Sequence, residues 1–188
     1  FLRGRQLAQR GDLAGAISSF RRALTLVPGA ADVHAELAGV FAREGRAAEA
    51  VSSAEAALAL DPNNREAHRI LAFVKSAVAD SPGYSAESAS LVAQAIRHLE
   101  QVLAVPTSDL GAQLLLGRLY AQAGQFEKSV GTLKAFLAEE PGYPEALLVL
   151  GQAAEGAGTA AAATDAGRHL SHTGARGRPS LRPHATAL

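Results

Sequence analysis

The sequence "RGDLAGAISSFRRALTLVP" at residues 10–28 is followed by "EGRAAEAVSSAEAALALDP" at residues 44–62. The two stretches share an order of residue types, and the interval from Gly11 to Gly45 equals the interval from Pro28 to Pro62. Self-similarity at a fixed period of roughly 34 residues is typical of proteins built from repeated supersecondary units. The spacing therefore predicts an array of repeats instead of one irregular domain.

The repeat continues along most of the chain. One position of the repeat is marked by Leu37, Leu71, Leu116 and Leu150. The first two of these leucines, and the last two, are separated by the same interval as the glycines. The middle interval is longer by eleven positions, so an insertion interrupts the third unit without loss of register. The expected units are residues 1–30, 31–64, 65–108 with the insertion, 109–143 and a partial unit at 144–157. Residues 158–188 are expected to form a poorly ordered or weakly helical C-terminal tail.

Each unit has the hydrophobic pattern of two helices. In the second unit Val33, Leu37 and Phe41 recur at helical spacing, Gly45 interrupts the pattern, and a second apolar stripe follows before Pro62. Glycine tolerates the left-handed conformation that commonly ends a helix, and proline cannot continue one. The pattern predicts an antiparallel helical hairpin for each unit, and the fold class is all-α.

The units resemble tetratricopeptide repeats (TPRs), a family of helix-turn-helix units of the same length. The residues that carry the resemblance are Gly4, Gly11, Ala16, Phe20, Ala23 and Pro28 in the first unit, Leu37, Ala38, Phe41, Gly45, Ala50, Ala57 and Pro62 in the second, and Leu116, Gly117, Tyr120, Gly124, Leu133 and Pro141 in the fourth. The resemblance implies a right-handed superhelical solenoid of antiparallel hairpins, here with about nine helices. It also implies that the first helix of each hairpin lines a concave face on which polypeptide segments bind.

Two segments depart from a regular repeat. The insertion reads as a loop at residues 79–85, and the second helix of the third unit is expected at about residues 85–104. The partial fifth unit is expected to supply one first helix, from residue 144 to about residue 156. These expectations give an array that is regular except at its third unit and at its ends.

The composition restricts the partners. Lys plus Arg equals Asp plus Glu, 18 each, so no overall charge favours a nucleic acid or an anionic membrane surface. No apolar run approaches the roughly 18 residues needed to cross a bilayer. We therefore expect neither nucleic acid nor a membrane as partner. A chain without cysteine is compatible with oxidising and with reducing compartments, so the composition does not indicate the localisation. The Ala, Arg and Gly usage with little Lys indicates a bacterial origin, and the absence of Met indicates a fragment.

No residue pattern indicates an active site. The sequence contains no glycine-rich phosphate loop, nucleophile elbow or metal-binding box. His34 and His68 occupy the same position of successive repeats and lack companions at ligand spacing, so packing is the expected role. His169 and His172 have a spacing suited to a metal, but they lie in the expected tail without further ligands. We expect no enzymatic activity, no cofactor and no metal.

Arginine recurs on one face of successive first helices. In the numbering of the second unit Arg5 and Arg118 both fall at position 39, Arg69 falls at position 35, and Arg43 keeps its own place. These positions lie on one helical face, opposite the packing stripe, and guanidinium groups bind carboxylates well. The predicted binding residues are Arg5, Gln9, Arg43, Arg69, Phe73, Leu114, Arg118 and Gln122. The predicted partner is a protein segment with acidic and apolar side chains, and a stripe that serves only solubility is the alternative.

These features together predict a noncatalytic protein-interaction scaffold that holds a polypeptide segment in its concave groove. The alternative is an accessory substrate-recognition region of a larger enzyme, such as a glycosyltransferase, a peptidase or a cytochrome-type protein, whose catalytic domain lies outside this sequence. Self-association through the uncapped ends of the array is a further expectation, because a repeat without a neighbour leaves its apolar side bare.

Overall fold

The fold is an array of α-helices. The computed structural model describes residues 1–81, 87–104 and 109–174, with side chains up to residue 159. In these ranges it contains nine α-helices and no strand, which confirms the all-α class. The helices are α1 (Leu2–Gln9), α2 (Leu13–Leu26), α3 (Ala31–Arg43), α4 (Ala47–Leu60), α5 (Arg65–Ala79), α6 (Ser88–Leu103), α7 (Leu110–Gln122), α8 (Phe126–Glu139) and α9 (Pro144–Gly174).

The helices pack in chain order. Helices α1 and α2, α3 and α4, α5 and α6, and α7 and α8 form hairpins, and the second helix of each hairpin packs against the first helix of the next unit. In addition α3 contacts α5 and α7 contacts α9, so first helices lie next to one another. A stack in which each unit meets only its neighbours is a solenoid. The predicted architecture of stacked helical hairpins is confirmed.

Repeat-equivalent glycines form the turns of three hairpins. Gly11, Gly45 and Gly124 have φ angles of 84°, 73° and 71°. A residue with a Cβ atom is strained at such angles, whereas glycine is not. The prediction that these glycines end the first helices is confirmed. In the first hairpin Asp12 follows the glycine and accepts a hydrogen bond from the Gly15 amide at 2.8 Å, which caps α2.

The core lies between the two helices of each hairpin. Of the four leucines that mark the repeat, Leu37, Leu71 and Leu116 are buried and Leu150 is partly buried. In the fourth hairpin α7 approaches α8 so closely that a Cβ atom at Gly117 would lie 2.6 Å from the Cγ atom of Leu133. Because one face of each first helix is buried in its hairpin, the opposite face is left accessible.

Helix α9 is longer than the sequence analysis predicts. The expected end is about residue 156, yet the helix continues to Gly174. Residues 159–164 are mainly alanine, which has the highest helix propensity. Because these alanines follow it, Gly158 does not end the helix as the equivalent glycines do in earlier units.

The third hairpin contains the insertion. Its second helix, α6, spans Ser88–Leu103, close to the expected residues 85–104. The expected start of this helix, and most of the loop predicted before it, fall on residues 82–86, which lie outside the described ranges. The last part of the expected tail, residues 175–188, also lies outside them.

Candidate protein-binding groove

The first helices of the second, third and fourth hairpins line one groove. Its volume is about 650 Å³, and α3, α5 and α7 form most of its wall. The apolar part of the wall includes Val40, Ile70, Phe73 and Leu115. Phe73 is 57% exposed, which is unusual for a phenylalanine. We refer to this cavity as the concave groove.

Charged side chains border the apolar wall. The carboxylates in the lining are Glu36, Glu66 and Asp109, and the guanidinium groups are those of Arg43 and Arg69. The three carboxylates lie in or just before the N-terminal halves of α3, α5 and α7, whereas Arg43 is the last residue of α3. One edge of the concave groove is therefore richer in carboxylates than the other.

Glu36, one of these carboxylates, is partly buried and paired with a guanidinium of α1. Its Oε1 atom lies 3.0 Å from Nε of Arg5. The pKa of Glu36 is nevertheless raised, because partial burial, with a contribution from the carboxylates of Glu66 and Asp32, outweighs the effect of Arg5.

Three of the predicted binding residues line the concave groove. Arg43, Arg69 and Phe73 all contribute to its wall. Arg43 donates a hydrogen bond from Nη1 to the carbonyl oxygen of Ala8 at 2.8 Å. Arg69 donates to both carboxylate oxygens of Glu66, from Nε at 2.9 Å and from Nη2 at 2.8 Å. Both guanidinium groups are therefore already held by acceptors of the same chain.

The structure does not place the other predicted residues in this wall. Arg5, on α1, forms an ion pair with Glu36, and Gln9 is exposed at the end of the same helix. Arg118 lies between two carboxylates, 3.9 Å from Asp80 and 3.7 Å from Glu145. Gln122 donates to the same Asp80 at 3.4 Å.

Leu114 differs from the prediction most clearly. It is partly buried and packs against the apolar cluster of α8 and α9, while its neighbour Leu115 lines the concave groove. The groove-lining residues Glu36, Ile70 and Leu115 occupy one position of the repeat, which the analysis of the sequence missed. The predicted stripe advances four residues at each step, and such a stripe drifts by about 40° a step around a helix of 3.6 residues per turn. Alternate steps of three and four residues follow the observed face.

The histidines at the equivalent repeat positions tie the units together. Nε2 of His34 lies 3.1 Å from the carbonyl oxygen of Pro28, and Nε2 of His68 lies 3.0 Å from that of Pro62. A carbonyl oxygen only accepts, so Nε2 of His68 is the donor and its Nδ1 accepts from Nδ1 of His98, 2.9 Å away. The expected packing role fits these contacts, but the histidine pair between α5 and α6 was not anticipated.

Burial is the main cause that lowers the pKa of His98, to about 4, and the nearby His68, Lys75 and Arg97 act in the same direction. The imidazole of His98 is therefore neutral near pH 7. Within the described residues no three His, Cys, Asp or Glu side chains are grouped as a metal site requires. None of the described helices combines the length and the hydrophobicity needed to cross a bilayer.

Stacked hairpins with a groove along their first helices define the chain as a helical repeat protein. Two tetratricopeptide-repeat family models match it, one over residues 7–72 and the other over residues 83–133 and 114–170. The chain belongs to the tetratricopeptide-repeat family. Members of this family generally act as noncatalytic modules of protein-protein interaction. The chain is accordingly a protein-interaction scaffold in this general sense.

Several solved structures share this fold. A MamA protein is 22% identical with a TM-score of 0.65, and the match covers 96% of this chain and 94% of that one. A thermophilic TPR protein of Thermus thermophilus is 24% identical with a TM-score of 0.62, covering 80% and 77% of the two chains. YrrB, described as a TPR protein with an unusual peptide-binding site, is 19% identical with a TM-score of 0.62, covering 81% and 82%. A sequence search of curated proteins finds no match.

Proposed function

We propose that the chain binds a polypeptide segment in the concave groove and carries out no chemistry on it. The observation that carries this proposal is the groove itself, whose volume of about 650 Å³ lies along three successive first helices. A cleft with an apolar wall and a few charged groups at its border is the usual form of a binding site for an extended or helical segment. The exposed ring of Phe73 gives such a segment an apolar surface to cover.

The acidic character expected of the partner has less support than its apolar character. Arg69 is already bound to Glu66, and Arg43 to a backbone carbonyl oxygen. An acidic segment would have to compete with these internal acceptors, which reduces the gain from each new ion pair. The apolar wall has no such competitor among the described residues.

The alternative, an accessory region that presents a protein substrate to an enzyme, places the same demand on the concave groove. No separate observation favours it over a scaffold. Both functions require that a polypeptide lie next to Phe73, so one experiment tests what they share.

Site-specific photo-crosslinking tests the proposal. Phe73 is replaced by benzoylphenylalanine, which keeps an aromatic ring at the exposed position, and the full chain is irradiated in extract of the source cells. We expect discrete adducts with another polypeptide. The matched control carries the same residue at Glu55, which is exposed on the second helix α4. Equal adducts at both positions, or adducts at Glu55 alone, would show that partners do not use the concave groove.

A further inference from the structure

The concave groove continues into a second cavity. The two cavities share Ala42 and Phe73, and the second has a volume of about 210 Å³. Its lining is mostly apolar and includes Val74 and Val78. We call this second cavity the notch. Arg43, the residue after Ala42, lines the concave groove, so a guanidinium group and the notch lie at the same end of α3.

Each of the three carboxylates in the lining of the concave groove already has a guanidinium partner. The pairs are Glu36 with Arg5 at 3.0 Å, Glu66 with Arg69 at 2.8 Å, and Asp109 with Arg65 at 3.7 Å. Because these carboxylates are paired, the edge of the groove that is richer in them selects no cation from a partner.

Arg43 is the cation of the lining that these pairs leave over. Its Nη1 atom donates to the carbonyl oxygen of Ala8 at 2.8 Å, and this acceptor is neutral. The adjacent carboxylate of Glu44 is bound by Arg46 at 3.0 Å. In the described part of the chain no carboxylate pairs with Arg43, and no hydrogen bond involves its Nε and Nη2 atoms. These two atoms form the fork that can hold both oxygens of a carboxylate.

The carboxylates of the groove are too distant to oppose an anion at Arg43. Glu36 lies nearly two turns before Arg43 on α3, which corresponds to about 10 Å along the helix. At physiological ionic strength surface charges are screened over about 8 Å. The C-terminal end of α3 is closer, and its partial negative charge reduces the gain from a bound anion. A carboxylate therefore gains a modest amount of binding energy at Arg43.

We propose that the partner segment carries an acidic side chain, bound by the free edge of the Arg43 guanidinium, close to an apolar side chain that covers Phe73 and enters the notch. This inference rests on the proposed function and specifies the partner for the same groove. It restricts the acidic character expected from the arginine stripe to one carboxylate at Arg43, because Arg69 is bound to Glu66. The occupant is a separate protein, since residues 175–188 of the chain contain three arginines and no Asp or Glu.

The test uses the full chain and fluorescent peptides of one length, built on serine and glycine with both termini blocked. The first peptide contains leucine and aspartate, the second leucine and asparagine, the third serine and aspartate, and the fourth leucine and lysine. We expect the leucine-aspartate peptide to bind about threefold to fivefold more tightly than the leucine-asparagine peptide. It should bind roughly tenfold more tightly than the serine-aspartate peptide, and the leucine-lysine peptide should bind more weakly than the leucine-asparagine peptide.

Fluorescence anisotropy gives the dissociation constants at low and at high salt. The advantage of aspartate over asparagine should shrink as salt rises, because it is electrostatic. The contribution of leucine should not shrink, because burial of an apolar side chain does not depend on an ion pair.

Two variants assign the two side chains of the peptide. Arg43→Gln keeps an N–H donor for the carbonyl oxygen of Ala8 but removes the charge, so aspartate and asparagine peptides should bind equally. The control Arg22→Gln removes an exposed arginine of α2 and should leave the preference for aspartate unchanged. Phe73→Ala should weaken the leucine peptides and spare the serine-aspartate peptide. A general change in structure would weaken all peptides alike, so the ratio of aspartate to asparagine binding isolates the charge.

Three results would overturn the inference. The first is binding of the leucine-asparagine or leucine-lysine peptide that is as tight as that of the leucine-aspartate peptide, or no binding by any peptide. The second is a preference for aspartate that survives Arg43→Gln. The third comes from a leucine-asparagine peptide with a free C-terminal carboxylate, since tighter binding of this peptide than of the leucine-aspartate peptide would assign Arg43 to a chain end instead of an acidic side chain.

The outcomes separate this inference from the proposed function. Adducts from the benzoylphenylalanine at position 73 do not depend on the charge of the partner. If adducts with another polypeptide form but the peptides rank differently, only the acidic-apolar assignment fails. Adducts that join position 73 to residues 175–188 of the same chain, or to a second copy of the chain, would overturn the assignment of a separate protein.

Discussion

Replacing Gly117 by alanine should destabilise the chain, although the same change elsewhere in a helix stabilises it. A Cβ atom at this position would lie 2.6 Å from Cγ and Cδ2 of Leu133, closer than real Cβ contacts. Leu133 is fully buried, and the nearby Ser129 hydroxyl donates to the carbonyl oxygen of Gly117 at 2.7 Å, so neither helix is free to move. Overpacking of this kind costs about 1–3 kcal/mol.

The gain in helix propensity from glycine to alanine offsets about 1 kcal/mol of this cost. The net effect of Gly117→Ala is therefore a loss of up to about 2 kcal/mol, and each kcal/mol lowers Tm by roughly 2–4 °C in a chain of this size. The matched control is Gly131→Ala in α8, where an added Cβ atom meets nothing within 4 Å. The control should gain about 1 kcal/mol.

The sign should reverse when the opposing leucine is shortened. In the second hairpin the equivalent positions hold Ala38 and Ala54, both fully buried, so an alanine pair is compatible with this contact. Leu133→Ala alone should cost about 2–5 kcal/mol. In that background Gly117→Ala should stabilise by about 1–2 kcal/mol, because the new methyl group fills part of the cavity and the helix propensity improves.

Urea unfolding of the four variants of this cycle, with m-values that stay constant, measures the coupling. The loss in the parent chain and the gain in the Leu133→Ala background together predict a coupling of about 1–4 kcal/mol between the two positions. If Gly117→Ala stabilises the parent chain as much as Gly131→Ala does, the close approach of α7 to α8 is wrong. If the two substitutions are additive, Leu133 is not what restricts Gly117.

Three further predictions concern stability and assembly. The pKa of His98 is lowered from 6.5 to about 4, so the unfolded chain binds more protons than the folded chain between these pH values. The free energy of unfolding should therefore fall by roughly 1–2 kcal/mol as the pH is lowered through that window, a figure reduced because the group is half exposed. In urea titrations His98→Gln should flatten this dependence on pH. Asn64→Ala should cost about 1–2 kcal/mol by chemical unfolding, since its side chain accepts from the Ala67 amide and donates to Asp32, and a cost below the error would exclude this cap. Leu148 is 64% exposed on α9, so the chain should self-associate through this face. Light scattering should show an apparent mass that rises with protein concentration, and Leu148→Asp should lower that mass. A mass that stays constant with concentration would rule out self-association through this face.

The fold could be predicted from the sequence because its signals are local and repeated. The glycines that need a positive φ and the leucines of the packing stripe recur in register, so each unit supports the interpretation of the others. The end of α9 could not be predicted from the register, because Gly158 matches the earlier turn glycines while the alanines after it favour a longer helix.

The candidate site was less predictable because it depends on angles and on contacts between units. The arginine stripe identified Arg43, Arg69 and Phe73, but a four-residue spacing drifts off the concave face and led to Leu114 instead of Leu115. Ion pairs between side chains of different helices, such as Arg5 with Glu36, are invisible in one sequence. Because of these ion pairs, the predicted stripe of arginines is a surface on which positive and negative charges nearly cancel.

The central claim is that a polypeptide occupies the concave groove. A substitution that places a larger side chain of the protein in that groove tests this claim most directly. Leucine at Gly39 has room, because a Cβ atom there meets only Cδ1 of Ile70 at 3.5 Å, and the rest of the side chain would extend into the cavity. Both Gly39→Leu and the control Gly131→Leu replace a helical glycine and should keep or raise stability by up to about 1 kcal/mol.

The measurement is the yield of polypeptide adducts from benzoylphenylalanine at position 73 in these two backgrounds, with thermal unfolding of each. The account predicts that Gly39→Leu removes most of the adducts while the protein stays folded, and that Gly131→Leu leaves the yield unchanged. Equal yields in the two backgrounds, from proteins of equal stability, would contradict the account.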